Sequence, residues 1–164
     1  MSGRGVALSA PSVLDRLLDS SPDLSIDPPR TRQTQMREAL DSLCRDLETL
    51  LNTRRRPITP PASLPQLRTS LLNYGVADFI GANMGTREHR EVFASKLEEA
   101  IRVFEPRLRD VSVVVLDPQE SAERVLRLRI EATVLLVAEP TPVLFASTVN
   151  PATLRFSVAE AHHV

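Results

Sequence analysis

The hydrophobic period of this 164-residue chain changes at Glu105-Pro106, and that change sets the fold class. Before it, apolar residues recur at helical spacing. Met36, Leu40, Leu43, Leu47 and Leu50 advance in steps of four or three, and Leu51 widens the stripe. Such steps place side chains on one face of an α-helix. The spacing predicts a helix over 34–52, with Arg37, Glu38, Asp41, Arg45 and Glu48 on the solvated face. Arg45 stands four residues after Asp41 and three before Glu48, so ion pairs can run along that face. A second stripe, Phe93, Leu97, Ala100, Ile101 and Phe104, predicts a helix capped by Thr86 and stopped by Pro106. Beyond it the period is two. Val111, Val113 and Val115 alternate with their neighbours. Leu126, Leu128, Ile130, Ala132, Val134 and Leu136 alternate with Arg127, Arg129, Glu131 and Thr133. Val143–Ser147 and Thr153–Val158 complete three or four strands. Helices followed by an antiparallel meander make an α+β fold, with the helices packed on a small antiparallel sheet.

The remaining chain divides around this domain. Residues 1–33 form an extended N-terminal arm, broken by Pro22, Pro28 and Pro29. Within it, Pro11–Leu18 places Leu14, Leu17 and Leu18 on one face of a helical turn. That island is either a short helix on its own domain or a docking peptide for a partner groove. The α+β domain then covers 34–159, and 160–164 is a frayed tail. Pro57, Pro60, Pro61 and Pro65 stiffen a connector inside the domain. Ser63 can cap a short helix there whose apolar side is Leu67, Leu71 and Leu72. Asn73-Tyr74-Gly75 ends it, with Gly75 suited to a left-handed position.

Composition narrows the function. The net charge is -1, with nineteen arginines and Lys96 as the lone lysine, so nothing draws the chain as a whole to nucleic acid. Arg54-Arg55-Arg56 is the densest basic run. It suits the negative end of the first helix, or an ion-pair surface for a partner. Three arginines without aromatic support bind phosphate weakly. Cys44 alone makes no intramolecular disulfide and no Cys-based zinc site. His89 belongs to the first turn of a helix, and His162 and His163 lack acidic or Cys partners at metal spacing. Five glycines form no phosphate-cradling loop. No cofactor is expected. The N-terminus holds no signal-peptide apolar core, and no run approaches the roughly 20 apolar residues of a membrane span. A cytoplasmic protein without membrane insertion is the expectation.

Four segments, in order, carry a resemblance. Arg45-Asp46-Leu47-Glu48, continued by Leu50-Leu51-Asn52-Thr53-Arg54-Arg55, resembles the RDLExLLNTRR signature of TssE-type baseplate subunits of the type VI secretion system. Ser70-Leu71-Leu72-Asn73-Tyr74-Gly75 resembles that family's SxLNYG segment, Glu105-Pro106-Arg107-Leu108 its EPRL segment, and Pro11–Leu17 its N-terminal PSLLDRL box. Val76-Ala77 departs from the family's Leu-Pro before Asp78. The family is similar to a contractile-phage baseplate wedge protein called lysozyme-like. A baseplate wedge of a phage or phage-like particle is therefore the alternative home. The resemblance implies a structural part of a contractile injection machine, at the inner face of the bacterial cytoplasmic membrane. Its partners would be TssF, TssG and TssK, and it would help start the TssB/TssC sheath. It implies that Glu105-Pro106-Arg107 grips the core of the wedge. It also implies that a sheet edge accepts sheath strands.

Physical chemistry gives these implications residues. Pro106 restrains itself and Glu105, so Glu105 and Arg107 would be displayed at small entropy cost. Arg107 can fork onto a carboxylate or helix carbonyls, and Glu105 can accept N–H groups at a partner helix start. On this reading Arg107→Ala leaves folding intact and weakens assembly. Thr153–Val158 would be an edge either open to added strands, with Leu154 and Phe156 as its test positions, or shielded by the tail or by Arg155. Leu14, Leu17, Arg54 and Arg55 are further partner contacts, while Arg45, Asp46, Glu48, Asn52, Tyr74 and Gly75 are structural. A wall-cleaving enzyme would need two carboxylates about 5–9.5 Å apart. Glu48 and Glu105 are the candidate pair, and each has an arginine nearby that favours the charged form over the acid. With no Trp and one Tyr there is no aromatic sugar cleft. The expectation is no catalysis.

Overall fold

Thr31 caps the helix that opens the domain. Its Oγ1 accepts the Thr34 N–H at 3.2 Å, and α1 runs Arg32–Asn52. The helix therefore begins two residues before the predicted span, inside the expected arm, because the cap and not the stripe decides where it starts. A computed structural model describes residues 14, 17, 31–77, 86–116, 126–135, 140–150, 153 and 155–161. After α1, two short 3-10 turns cover Pro65–Thr69 and Leu71–Asn73. Helix α2 covers Arg87–Phe104, and Thr86 Oγ1 accepts the His89 N–H at its start. Four strands follow: β1 Leu108–Val115, β2 Leu126–Val134, β3 Thr141–Val149 and β4 Phe156–Ala161. They form one antiparallel sheet in the order β1-β2-β3-β4.

The two helices and one face of the sheet share a single core. Leu43, Leu47, Leu50 and Leu51 of α1 and Leu97 and Ile101 of α2 are buried with Val111, Leu128, Ile130, Val134 and Phe145. The other sheet face is open, carrying Arg127, Arg129 and Glu131 of β2 and Ala146, Thr148, Ser157 and Ala159 of β3 and β4. A bulge between Arg109 and Ser112 puts Asp110 at φ 51°. It lets Leu108 and Val111, three residues apart, face the same core.

Three expectations change. The last strand begins at Phe156 and not Thr153, whose N–H instead donates to Asn150 Oδ1 in the preceding turn. Glu160 and Ala161 belong to β4 and not to a frayed tail, because β3 offers them ladder partners as far as Leu144. The connector's short helix is instead two 3-10 turns, neither of which buries a residue, and on its apolar side Leu71 and Leu72 are 87% and 66% exposed. Leu14 and Leu17 take helical backbone and are exposed. Leu154 and the rest of the 1–30 arm lie outside the described residues.

Candidate functional site

The motif residues meet around the C-terminal half of α1. Glu105 follows α2 directly, and its N–H closes the helix on the Ile101 carbonyl at 2.8 Å. Its side chain turns inward and is 7% exposed. Oε1 accepts Arg107 Nε at 2.6 Å and the Arg107 backbone N–H at 3.3 Å, while Oε2 accepts Arg107 Nη2. The same Nη2 donates to Asp46 Oδ2 on α1. One guanidinium thus ties the α2–β1 corner to the first helix. Hydrogen bonding to Glu105 is the main cause that raises the Arg107 pKa, against the opposing effect of burial. Glu105 is not displayed for a partner, because both of its oxygens are engaged within the chain. Pro106 is exposed, and the Arg107 side chain is 24% exposed.

Helix α1 also closes a sheet edge. Asn52 Nδ2 donates to the Phe156 carbonyl and its Oδ1 accepts the Phe156 N–H, both at 2.9 Å. One turn earlier, Glu48 Oε2 accepts the Val158 N–H at 3.1 Å. A strand residue points its N–H and C=O to the same side, so these are the β4 groups that face away from β3. Cys44 lies a further turn back on α1, near enough to Glu160 for that carboxylate to act on its thiol. Residues 48 and 52 therefore meet residues 158 and 156 in sequence. This overturns the open edge expected at Phe156, which is itself 2% exposed: its ladder positions are filled by side chains of α1. The opposite edge is treated alike. On α2, Glu98 Oε1 accepts the Val113 N–H at 2.9 Å and Arg102 Nη2 donates to the Val111 carbonyl at 2.7 Å. Glu98 and Arg102 also pair with each other at 3.4 Å.

A third junction joins the chain after α1 to the end of the connector. Val76 N–H donates to the Thr53 carbonyl at 2.9 Å and Arg55 N–H to the Val76 carbonyl at 2.8 Å, a parallel bridge. Gly75 makes the approach possible, with φ 103° and no Cβ to strike the Thr53 carbonyl. Tyr74 packs edge-on to Phe104 with ring centres 5.2 Å apart. Burial raises its hydroxyl pKa, and the Asp46 and Glu105 charges add to the effect. Arg45, Arg54 and Arg55 are exposed.

Two measurable consequences arise here. Asn52→Ala leaves the Phe156 N–H and carbonyl without their partner, at about 1–3 kcal/mol for each group that water fails to reach. Urea unfolding should shift accordingly, and Phe156 amide exchange should accelerate; an unchanged midpoint would show that water replaces the side chain freely. The second concerns pH. Burial, the largest cause, and the nearby Glu160 and Asp41 carboxylates push the Cys44 thiol above its ordinary 9.0. The folded state holds this proton more tightly than the unfolded state. That stabilisation is complete below the unfolded thiol's pKa and is lost as pH rises through the folded value. Stability should therefore fall on the alkaline side, and less steeply in Cys44→Ala. Parallel urea midpoints at pH 7.5 and about pH 10 check this, identical slopes counting against it.

Sequence reasoning named Asp46, Glu48, Asn52, Tyr74, Gly75, Glu105 and Arg107; the structure joins Asp46, Glu105 and Arg107 in one network, sets Glu48 and Asn52 against β4, Tyr74 against Phe104 and Gly75 against Thr53. Sequence reasoning missed Glu98 and Arg102. Their signal was an acid–base pair four residues apart beside Leu97 and Ile101, at the border of the buried stripe. Among the described residues, no helix is long and apolar enough to cross a membrane. A solved structure described as the baseplate complex from the type VI secretion system contains a similar chain. The identity is 18%, the TM-score 0.48, and the match covers 71% of this chain and 98% of that one. No curated protein matches. Residues 37–139 match the family model described as baseplate wedge protein gp25, a span that contains the Asp46–Glu105–Arg107 network, most of α1, all of α2 and the first two strands. By that match the chain belongs to the gp25 family of baseplate wedge proteins.

Proposed function

We propose that this protein is a structural wedge subunit of a type VI secretion baseplate, of the TssE type. It works at the cytoplasmic face of the inner membrane, binds TssF and TssG, is connected to TssK and helps start the TssB/TssC sheath. The observation that carries the reading is the family match over 37–139, which includes the internal network that the motif residues build. Partner contacts fall to what is left outside: Leu14 and Leu17 of the arm, Arg54 and Arg55 after α1, Pro106, and the outer side of Arg107. Sheath contacts use faces and loops, since α1 fills the β4 edge.

The geometry counts against a wall-cleaving enzyme. Both oxygens of Glu105 are held by Arg107, and Glu48 is engaged by a strand N–H. Neither carboxyl is poised to give a proton to a substrate. A phage or phage-like baseplate is the second reading, favoured by a family description that names a baseplate wedge and no secretion system. Purification of the tagged chain from its own cells separates the two. Co-purifying TssF and TssG support the first reading and phage tail proteins the second. Recovery of neither, with peptidoglycan hydrolysis abolished by Glu105→Gln, would defeat both.

A further inference from the structure

From Thr53 to Ala77 the chain carries four arginines and no Asp or Glu, in a protein whose net charge is -1. The same stretch exposes Ile58, Leu64, Leu71 and Leu72 at 67%, 53%, 87% and 66%. These apolar side chains are presented by ordered backbone. Leu64 N–H bonds the Pro61 carbonyl at 3.0 Å, Leu67 N–H the Leu64 carbonyl at 3.1 Å, and Tyr74 N–H the Leu71 carbonyl at 3.2 Å. Asn73 Nδ2 donates to the Arg68 carbonyl at 2.9 Å, and Ser70 Oγ to the Leu67 carbonyl at 2.9 Å. Prolines at 57, 60, 61 and 65 restrict the rest. The result is a preformed knuckle on which Leu64, Leu71 and Leu72 meet water, with Arg68 inside it and Arg55 tied to its end through the Val76 carbonyl, Arg56 following directly.

We infer that this knuckle docks an acidic amphipathic segment of a partner protein. The segment's apolar side would cover Leu71 and Leu72, and its carboxylates would meet Arg55, Arg56 and Arg68. Preorganisation lowers the ordering cost of binding, and arginine forks suit carboxylates. An anionic membrane is the weaker fit. The turns are five and three residues long, too short for an interfacial helix, and the one aromatic of the stretch, Tyr74, is packed on Phe104. The inference rests on the baseplate reading for where the partner is found, not for the chemistry of the surface.

The test places a photo-crosslinking amino acid at Leu72 in the full chain, in its own cells, with Glu99 on α2 as the control position. The expected product joins residue 72 to a segment with acidic residues and apolar residues at helical spacing. Combined Arg55→Glu, Arg56→Glu and Arg68→Glu should cut its yield roughly tenfold or more, the scale of placing like charges across an interface. Thermal melts of these exposed-site variants should match the parent's. The same kind of product on a protein outside any baseplate would uphold the knuckle while defeating the baseplate reading. No product above the Glu99 control, a product on a second copy of this chain or on a segment without acids, indifference to the charge reversals, or binding to anionic vesicles instead would overturn the inference.

Discussion

Arg107→Ala is expected to cost about 3–5 kcal/mol of folding stability, the scale for removing one partner of a buried, hydrogen-bonded ion pair. The reason lies with the residue left behind. Glu105 keeps a 7% exposed carboxylate with both oxygens stripped of their donors, whereas Asp46, at 39%, can turn to water. Arg107→Lys should recover little, because an ammonium cannot serve Glu105 through Nε and Nη2 while reaching α1. The paired change Glu105→Gln with Arg107→Met should cost less than Arg107→Ala alone, since it removes the charge along with its partner. Urea unfolding of the four proteins checks the order. An Arg107→Ala midpoint equal to that of the parent would show that Glu105 finds water, and the network would then be a surface feature. This replaces the expectation drawn from sequence, that Arg107→Ala leaves the fold untouched. Any assembly defect of that variant must be read against its stability.

Gly75→Ala is expected to cost roughly 3 kcal/mol or more. A Cβ at this position would lie 2.3 Å from the Thr53 carbonyl oxygen and 2.9 Å from its carbon, and both are backbone atoms that no rotamer change can move. A left-handed φ adds about 1–2 kcal/mol for any side chain. Relieving the clash means parting the bridge, with loss of two backbone hydrogen bonds worth about 1 kcal/mol each. For a domain of this size the melting temperature should fall by roughly 6–12 °C. The knuckle should also loosen, so amide exchange at Arg55 and Val76 should rise before global unfolding. A melt within a degree of the parent's would show that the bridge yields at little cost.

What the sequence disclosed was its neighbour relations. Leu40, Leu43, Leu47 and Leu50 share a face because helical spacing says so, and Leu128, Ile130, Ala132 and Val134 because strand spacing does. The limits of elements were less legible. Thr31 begins α1 ahead of its stripe, and Ala159 to Ala161 pair with β3 without any apolar alternation to announce it. Periodicity also does not say whether an apolar face is covered: Leu71 and Leu72 read as the apolar side of a short helix, and that side is exposed. The site was legible as a set of residues and illegible as an arrangement. Asn52 bonds a residue 104 positions away and Glu48 one 110 positions away, distances at which spacing carries no information. The expected open edge failed for this reason: the groups that close it come from the other end of the chain.

That closure bears on how assemblies containing this protein grow. Glu98 and Arg102 hold the outer positions at Val113 and Val111, and Glu48 and Asn52 those at Val158 and Phe156. In the vocabulary of polymerisation, these four positions are chain-terminated. Copies do not propagate by edge pairing at these positions, however concentrated they become.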